Sequence, residues 1–264
     1  MLNLVRSKSF LLFGSVVVLT VLAIALLRPG AGVAGQPPDT GPTDAYDFPI
    51  KPGTPEWAAL KSHEEMLQVC QVPESILQEM STEGLIETCL NYPLYGDMLA
   101  YNSMQQGFDA VVSRFNGLQE LLKREDAGSK LLARYRKMDP ETGENWTPLR
   151  SSNSSLDFTF IEMLLAQDDI LSKLTPAERR DLLAVSLEMV RSKQKHADIY
   201  SLFGQERTAL IMGRILQMEN FDAFNRKVQE NETLQVFLGD GEFAGEKGLN
   251  DIFLQTQRFL SQYQ

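Results

Sequence analysis

The stretch TPAERRDLLAVSLEMVRSKQK, residues 175–195, decides the class of fold. Thr175 with Glu178 three positions later is a capping box. Pro176 stands at the first helical position, where its missing N–H is not needed and its fixed φ suits the helix. Leu182, Val185 and Met189, with Leu183, Leu187 and Val190, then recur at spacings of three and four and lay one apolar stripe along a helix. The basic run Arg191 to His196 reads as a solvated helix end, because the orphan carbonyls there favour cations.

Working outward, the same periodicity covers nearly all of residues 54–264. Thr54-Pro55 opens a helix predicted over roughly 55–69, and further helices are predicted at roughly 73–80, 82–91, 94–106, 108–125, 127–138, 156–172, 199–219, 221–238 and 247–262. No segment sustains the period-two alternation of a strand, and strand-linking Asn-Gly or Asp-Gly turns are nearly absent. The chain therefore reads as all-α, either a multi-helix orthogonal bundle or a short α-solenoid of antiparallel helix pairs. No fixed-period repeat supports a named repeat class. The irregular stretch DPETGENWTPLRSSNSS, residues 139–155, separates halves 54–138 and 156–264.

Upstream, residues 10–27 read FLLFGSVVVLTVLAIALL without a charge, preceded by Arg6 and Lys8 and followed by Arg28. As a helix the run is about 27 Å long, close to the hydrocarbon thickness of a bilayer. Residues 1–28 thus read as an N-terminal membrane-targeting helix, either a signal anchor or a signal peptide. Val33-Ala34-Gly35 offers small residues for cleavage before Gln36. The length of the apolar run, and Arg28-Pro29 after it, favour an anchor. Residues 29–53 are a Pro/Gly-rich spacer: seven of the twelve prolines and five of the eighteen glycines lie between Pro29 and Pro55. The body is then extracytoplasmic, attached to the membrane by its N-terminal helix or secreted after cleavage near Gly35.

The chain has 25 lysines and arginines against 35 aspartates and glutamates, a formal charge of −10. Without residues 1–35, which hold three basic and no acidic residues, 22 remain against 35, a charge of −13. Such a surface repels phosphates, so no nucleic-acid partner is expected. Two histidines and two cysteines are too few for a His₃ or Cys₄ zinc site. There is no Gly-x-Ser-x-Gly, Walker A, His-Glu-x-x-His or EF-hand pattern, and no metal or cofactor is expected. The adjacent acids Glu64-Glu65, Glu125-Asp126 and Asp168-Asp169 diverge on helices and read as solvated faces or helix-end charges.

Two features invite function. In an oxidising compartment Cys70 and Cys89 are candidates for a disulfide worth about 3 kcal/mol, against the alternative of two packed thiols. The segment Asn91 to Gly117 is rich in tyrosines and amides. A predicted helix there puts Asn102 and Gln106 on one face, beside Tyr101. These three are the candidate ligand-binding residues of a peptide or sugar groove, with Asp97 or Glu206 as a nearby carboxylate. Alternatively, the amides cap helices and the rings fill core.

The stretches CQVPESILQEMSTEGLIETCLNYPLYGDMLAYNSMQQGFDAVVSRFNGLQELLKREDAGSKLL, EMLLAQDDILSKLTPAERRDLLAVSLEMV and LFGQERTALIMGRIL resemble uncharacterised all-helical domains of exported bacterial proteins. The resemblance spans a little over half of the body and includes Cys70, Cys89, Asn102, Gln106 and the Leu202-Phe203-Gly204-Gln205 run. It implies an exported helical module and brings no activity, cofactor or catalytic residue with it. The expectation is a non-enzymatic binding or scaffolding domain with an extracytoplasmic protein or glycan partner. The alternatives are an enzyme or carbohydrate-binding domain using the Tyr101 groove, and a purely architectural domain.

Overall fold

The computed structural model describes residues 44–140 and 148–263, the side chains of 148–155, 198–199 and 201–203 excepted. The predicted N-terminal helix and cleavage site lie outside the described residues. Among those that are described, no helix is long and apolar enough to cross a membrane, and no strand occurs. The helices run in order α1 (Pro55–Ala58), α2 (His63–Val69), α3 (Glu74–Glu79), α4 (Thr82–Leu90), a 3₁₀ helix (Tyr95–Ala100), α5 (Met104–Arg114), α6 (Asn116–Leu121) and α7 (Ala127–Arg136). Then follow α8 (Pro148–Leu165), α9 (Asp168–Leu171), α10 (Pro176–Lys195), α11 (Ala197–Met218), α12 (Asp222–Gln229), α13 (Glu232–Asp240), α14 (Gly245–Leu260) and a terminal 3₁₀ turn (Ser261–Tyr263).

The capping box read from the sequence opens α10: Thr175 Oγ1 accepts from Glu178 N at 3.2 Å, and Thr175 N donates to Glu178 Oε2 at 2.9 Å. α10 then pairs with α11, which also packs against α8, α12, α13 and α14. Residues 205–213 of α11 are buried without interruption, so this helix is surrounded by protein instead of presenting one apolar stripe. At Gly213 a Cβ would stand 2.4 Å from Leu238 Cδ2, so the missing side chain lets α13 close in on α11.

Where the spacing predicts one helix over 55–69, the structure has two. Ser62 caps the second, its Oγ accepting from Glu65 N at 3.2 Å. The residues before α1 are not all spacer. Phe48 is buried with its ring 6.1 Å from those of both Tyr92 and Phe115, and Asp44 Oδ2 accepts from Ser81 N at 2.7 Å. The aromatic residues of this stretch find an apolar seat on the body that its prolines alone do not reveal. The divergent acids sit as read: Glu64-Glu65 and Asp168-Asp169 occupy the first turns of α2 and α9, where the N–H ends favour negative charge.

Two expectations are corrected. Cys70 and Cys89 are free, buried thiols that are not within disulfide distance. Burial raises both above the usual thiol range, Cys70 to about 11 with Asp97 adding to the effect, so they behave as small apolar core residues. Protein unfolded without reductant is therefore expected to take up two thiol labels by mass spectrometry, and an unlabelled product would restore the staple. The second correction concerns the Arg191–His196 run, which is not wholly solvated. Lys193 is fully buried and its Nζ lies 2.7 Å from both carboxylate oxygens of Glu162 on α8.

That ion pair is completed by its neighbours. Tyr135 of α7 donates to Glu162 Oε1 at 2.5 Å and Thr208 of α11 donates to the same oxygen at 2.7 Å. Lys193 also reaches Gly204 O and Thr208 Oγ1, each at 3.0 Å, beneath the rings of Phe158 and Tyr200. Burial, with the charge of Arg207 adding to it, pulls the Lys193 ammonium below its ordinary range, and Glu162 opposes that pull. Replacing Lys193 by Met strands the carboxylate and is expected to cost about 3–5 kcal/mol in denaturant unfolding, most of it recovered when Glu162→Met is added. A single-variant loss below about 1 kcal/mol contradicts this account.

Candidate functional site

The chain after the 3₁₀ helix does not continue as the predicted helix over 94–106. Tyr101 is extended (φ −104°, ψ 165°), and Ser103 then caps α5, its Oγ accepting from Gln106 N at 3.2 Å. At Gly107 a Cβ would stand 1.9 Å from Met98 O, so only glycine lets α5 lie this close against the 3₁₀ backbone. The break separates the three candidate residues. Tyr101 and Asn102 line a cleft, while Gln106 sits exposed on the first turn of α5 and does not. Asp97 does not line it either; its Oδ2 lies 3.1 Å from His63 Nε2.

The cleft holds about 420 Å³. Its lining comes from the Met98–Met104 segment, which brings Leu99, Tyr101 and Asn102, and from the α13–α14 turn with Glu242 and Phe243. α8 supplies Thr159, and the N-terminal half of α11 supplies Tyr200, Glu206 and Arg207. Gly241 ends α13 in the left-handed region (φ 68°), and its carbonyl accepts from Arg207 Nη1 at 2.8 Å. The turn is thereby tied to α11.

Two buried polar atoms of residues lining this cleft have no hydrogen-bond partner. Glu206 is fully buried; its Oε1 accepts from Ala244 N at 3.1 Å, and its Oε2 has no hydrogen-bond partner. Arg207 Nη2 stands 3.5 Å from that oxygen, an ion pair too long for a good hydrogen bond. Burial raises the Glu206 carboxyl above the ordinary range, against the opposing effects of Arg207 and of the Ala244 and Gly245 N–H groups. The buried Tyr200 hydroxyl is also unpartnered, and burial, with Glu162 and Asp139 behind it, holds it at about 12.

A wider depression of about 940 Å³ is lined by Gln105, Asp109, Gln167, Asp168 and Arg214 among others. Its polar groups are largely spent on the fold. Arg214 donates to Leu238 O and Ala166 O at 2.9 Å and to Gly239 O and Gln105 Oε1 at 3.0 Å, and Gln105 Nε2 donates to Gln167 Oε1 at 2.9 Å. Asn116 is likewise structural, bridging the backbone N–H and C=O of Val72 at 3.0 and 2.7 Å. The amide-rich segment thus divides: Asn102 faces the cleft, while Gln105 and Asn116 hold helices together. No group of three or more His, Cys, Asp or Glu able to hold a metal occurs among the described residues.

Glu206 is legible in the sequence as a carboxylate candidate, but Tyr200, Arg207, Glu242 and Phe243 are not. The signal that separates Gln106 from Asn102 is present as Ser103-x-x-Gln106, itself a capping pattern. No protein-family model matches the chain, and no curated protein or solved structure does. The geometry of the cleft therefore carries the functional argument.

A carboxyl raised on folding stabilises the fold while protonated, below the ordinary glutamate value of about 4.3, and that contribution is lost as pH rises through the folded value. The Glu206→Gln variant lacks this loss. Its stability relative to the parent is expected to rise between about pH 4 and neutrality in urea unfolding, and parallel pH profiles would show that Glu206 titrates normally.

Proposed function

We propose that the chain is an exported helical binding module, membrane-tethered or secreted, whose ligand site is the Glu206 cleft. One observation carries the site: two buried polar atoms without partners, Glu206 Oε2 and Tyr200 Oη, belong to residues lining one cleft. Native interiors leave few such atoms, and each costs about 1–3 kcal/mol unless something binds it. A cleft of about 420 Å³ suits a ligand the size of one sugar or a short peptide end. Export is supported by the uncharged run 10–27 with its basic flanks, by the Pro/Gly spacer, and by the resemblance to all-helical domains of exported bacterial proteins. The partner is then extracytoplasmic, a protein or a glycan, and the membrane itself is a partner where residues 1–28 stay attached. Packing of α8, α10, α12, α13 and α14 on α11 supports an orthogonal bundle over a solenoid.

A second reading, an enzyme, is favoured by Glu206 and Glu242 lining the same cleft, since glycoside hydrolysis employs an acid of raised pKa with a second carboxylate. The binding reading needs neither a nucleophile nor a base, and the Glu206 carboxyl already has an arginine beside it.

The test is made on the full-length chain in intact cells. Protease added outside is expected to remove the body, and a photo-crosslinker placed at Tyr101 is expected to capture an extracytoplasmic molecule that Glu206→Gln releases. A body protected from protease contradicts export. Crosslinking unaltered by Glu206→Gln, with the variant folded, contradicts the cleft as the site.

A further inference from the structure

Resting on the cleft as a binding site, we infer that it recognises a cation: an ammonium group carried at the end of an apolar or aromatic body. Among the residues that line the cleft, one buried carboxylate oxygen has no hydrogen-bond partner. Glu206 Oε2 is buried without a hydrogen-bond partner, its cationic neighbour being Arg207 Nη2 at 3.5 Å, while Oε1 is already engaged by Ala244 N at 3.1 Å. Tyr200, which also lines the cleft, has a buried hydroxyl without a partner, able to accept as well. Arg207 is the cation of the lining. It is 5% exposed, held to Gly241 O at 2.8 Å, and it stands 3.5 Å from the carboxylate. The cleft lining thus holds two glutamates, Glu206 and Glu242, and one arginine, which is held to Gly241 O.

That balance rejects an anionic ligand, and the formal charge of −10 on the chain extends the same preference to the approach. The mouth is of opposite character. Leu99, Tyr101 and Phe243 are 53%, 37% and 55% exposed, large apolar side chains that water contacts in the free protein. An apolar or aromatic body seated on them buries that surface, and the tyrosine and phenylalanine rings add cation–π attraction for a nearby ammonium. A neutral polyol supplies donors to Glu206 but gains nothing from the excess negative charge. The ammonium alone satisfies the orphan oxygen, the charge and the greasy mouth together.

Binding is measured by calorimetry on the full-length detergent-extracted protein with four probes: phenethylamine, its neutral isostere 2-phenylethanol, N-acetylglucosamine, and a short lysyl peptide with blocked ends. Phenethylamine is expected to bind about tenfold or more tightly than 2-phenylethanol, as a charge-assisted hydrogen bond predicts. Glu206→Gln is expected to remove that selectivity, leaving the two within about twofold. Tyr200→Phe, which keeps the ring and removes only the hydroxyl, is expected to weaken phenethylamine binding by about three- to tenfold and serves if Glu206→Gln fails to fold. Displacement of phenethylamine by the lysyl peptide assigns the ammonium to a polypeptide, and its failure to displace assigns it to a free amine; both keep the inference. Equal binding of amine and alcohol, or amine binding untouched by either variant, overturns it. Saccharide binding without amine binding overturns it while leaving the cleft as a binding site. Silence of all four probes overturns both.

Discussion

The buried pair of Lys193 and Glu162 is the constraint on which the middle of the molecule depends. A carboxylate out of water is tolerable only if its lone pairs are taken, and here they are: Glu162 accepts from Tyr135, Thr208 and Lys193. Four helices, α7, α8, α10 and α11, must hold one register for those donors to converge. Against a well-packed apolar replacement such a pair contributes little net stability. What it imposes is alignment, since sliding any one helix by a turn would bury an uncompensated charge. Lys193 also fastens Gly204 O and lies over the Tyr200 ring, both part of the cleft lining, so the pair holds the first turns of α11 where the site residues emerge.

The other end of the cleft is held by arginines acting as surrogate caps. The last carbonyls of a helix have no intrahelical donors, and in α13 those of Leu238, Gly239 and the following Gly241 receive guanidinium N–H groups from Arg214 and Arg207 of α11. The positive charges also suit the negative end of the α13 dipole. With α11 pinned from one side by Lys193 and pinning the turn on the other, the backbone that carries Tyr200, Glu206, Glu242 and Phe243 is tied to the bundle core. Walls held this way spare the ordering cost that a mobile loop would add to binding.

The helical class and most helix starts are written in short-range chemistry, which is why they can be read directly: Thr175-Pro176 with Glu178 opens α10, and Thr54-Pro55 opens α1. Periodicity, by contrast, runs across breaks that a single cap enforces. Ser62 and Ser103 each divide a stretch whose apolar spacing looks continuous, and the second break is what parts Gln106 from Asn102. Tertiary partners are harder to read. Lys193 sits among basic residues at a helix end and looks solvated until Glu162, thirty-one positions earlier, is placed opposite it. For the same reason the even cysteine count misleads, because a pairing expectation carries no information on where α2 and α4 direct their thiols. The cleft joins Tyr101, Glu206 and Phe243 from three separate parts of the chain, and only Tyr101 lies in a segment whose composition draws attention.

The two buried glutamates of this bundle show how burial alone differs from a site. Glu162 and Glu206 are both fully buried, and Glu206 has a guanidinium beside it in addition to a backbone N–H. Yet Glu162 has every oxygen engaged, whereas Glu206 keeps one unpaired, and Tyr200 on the same cleft keeps its hydroxyl unpaired too. Among the described residues, the other unpaired side-chain groups, on Ser186 and Gln255, line neither of these two depressions. An orphan costing about 1–3 kcal/mol in a closed core is a net loss to the fold. In the proposed ligand site, the same orphan on a residue lining a cleft is a deficit that a bound donor would remove, turning that cost into selectivity for a donor. Unmet hydrogen-bonding capacity on cleft-lining residues distinguishes the Glu206 cleft from the larger Arg214 depression, where the arginine is saturated by the protein's own carbonyls.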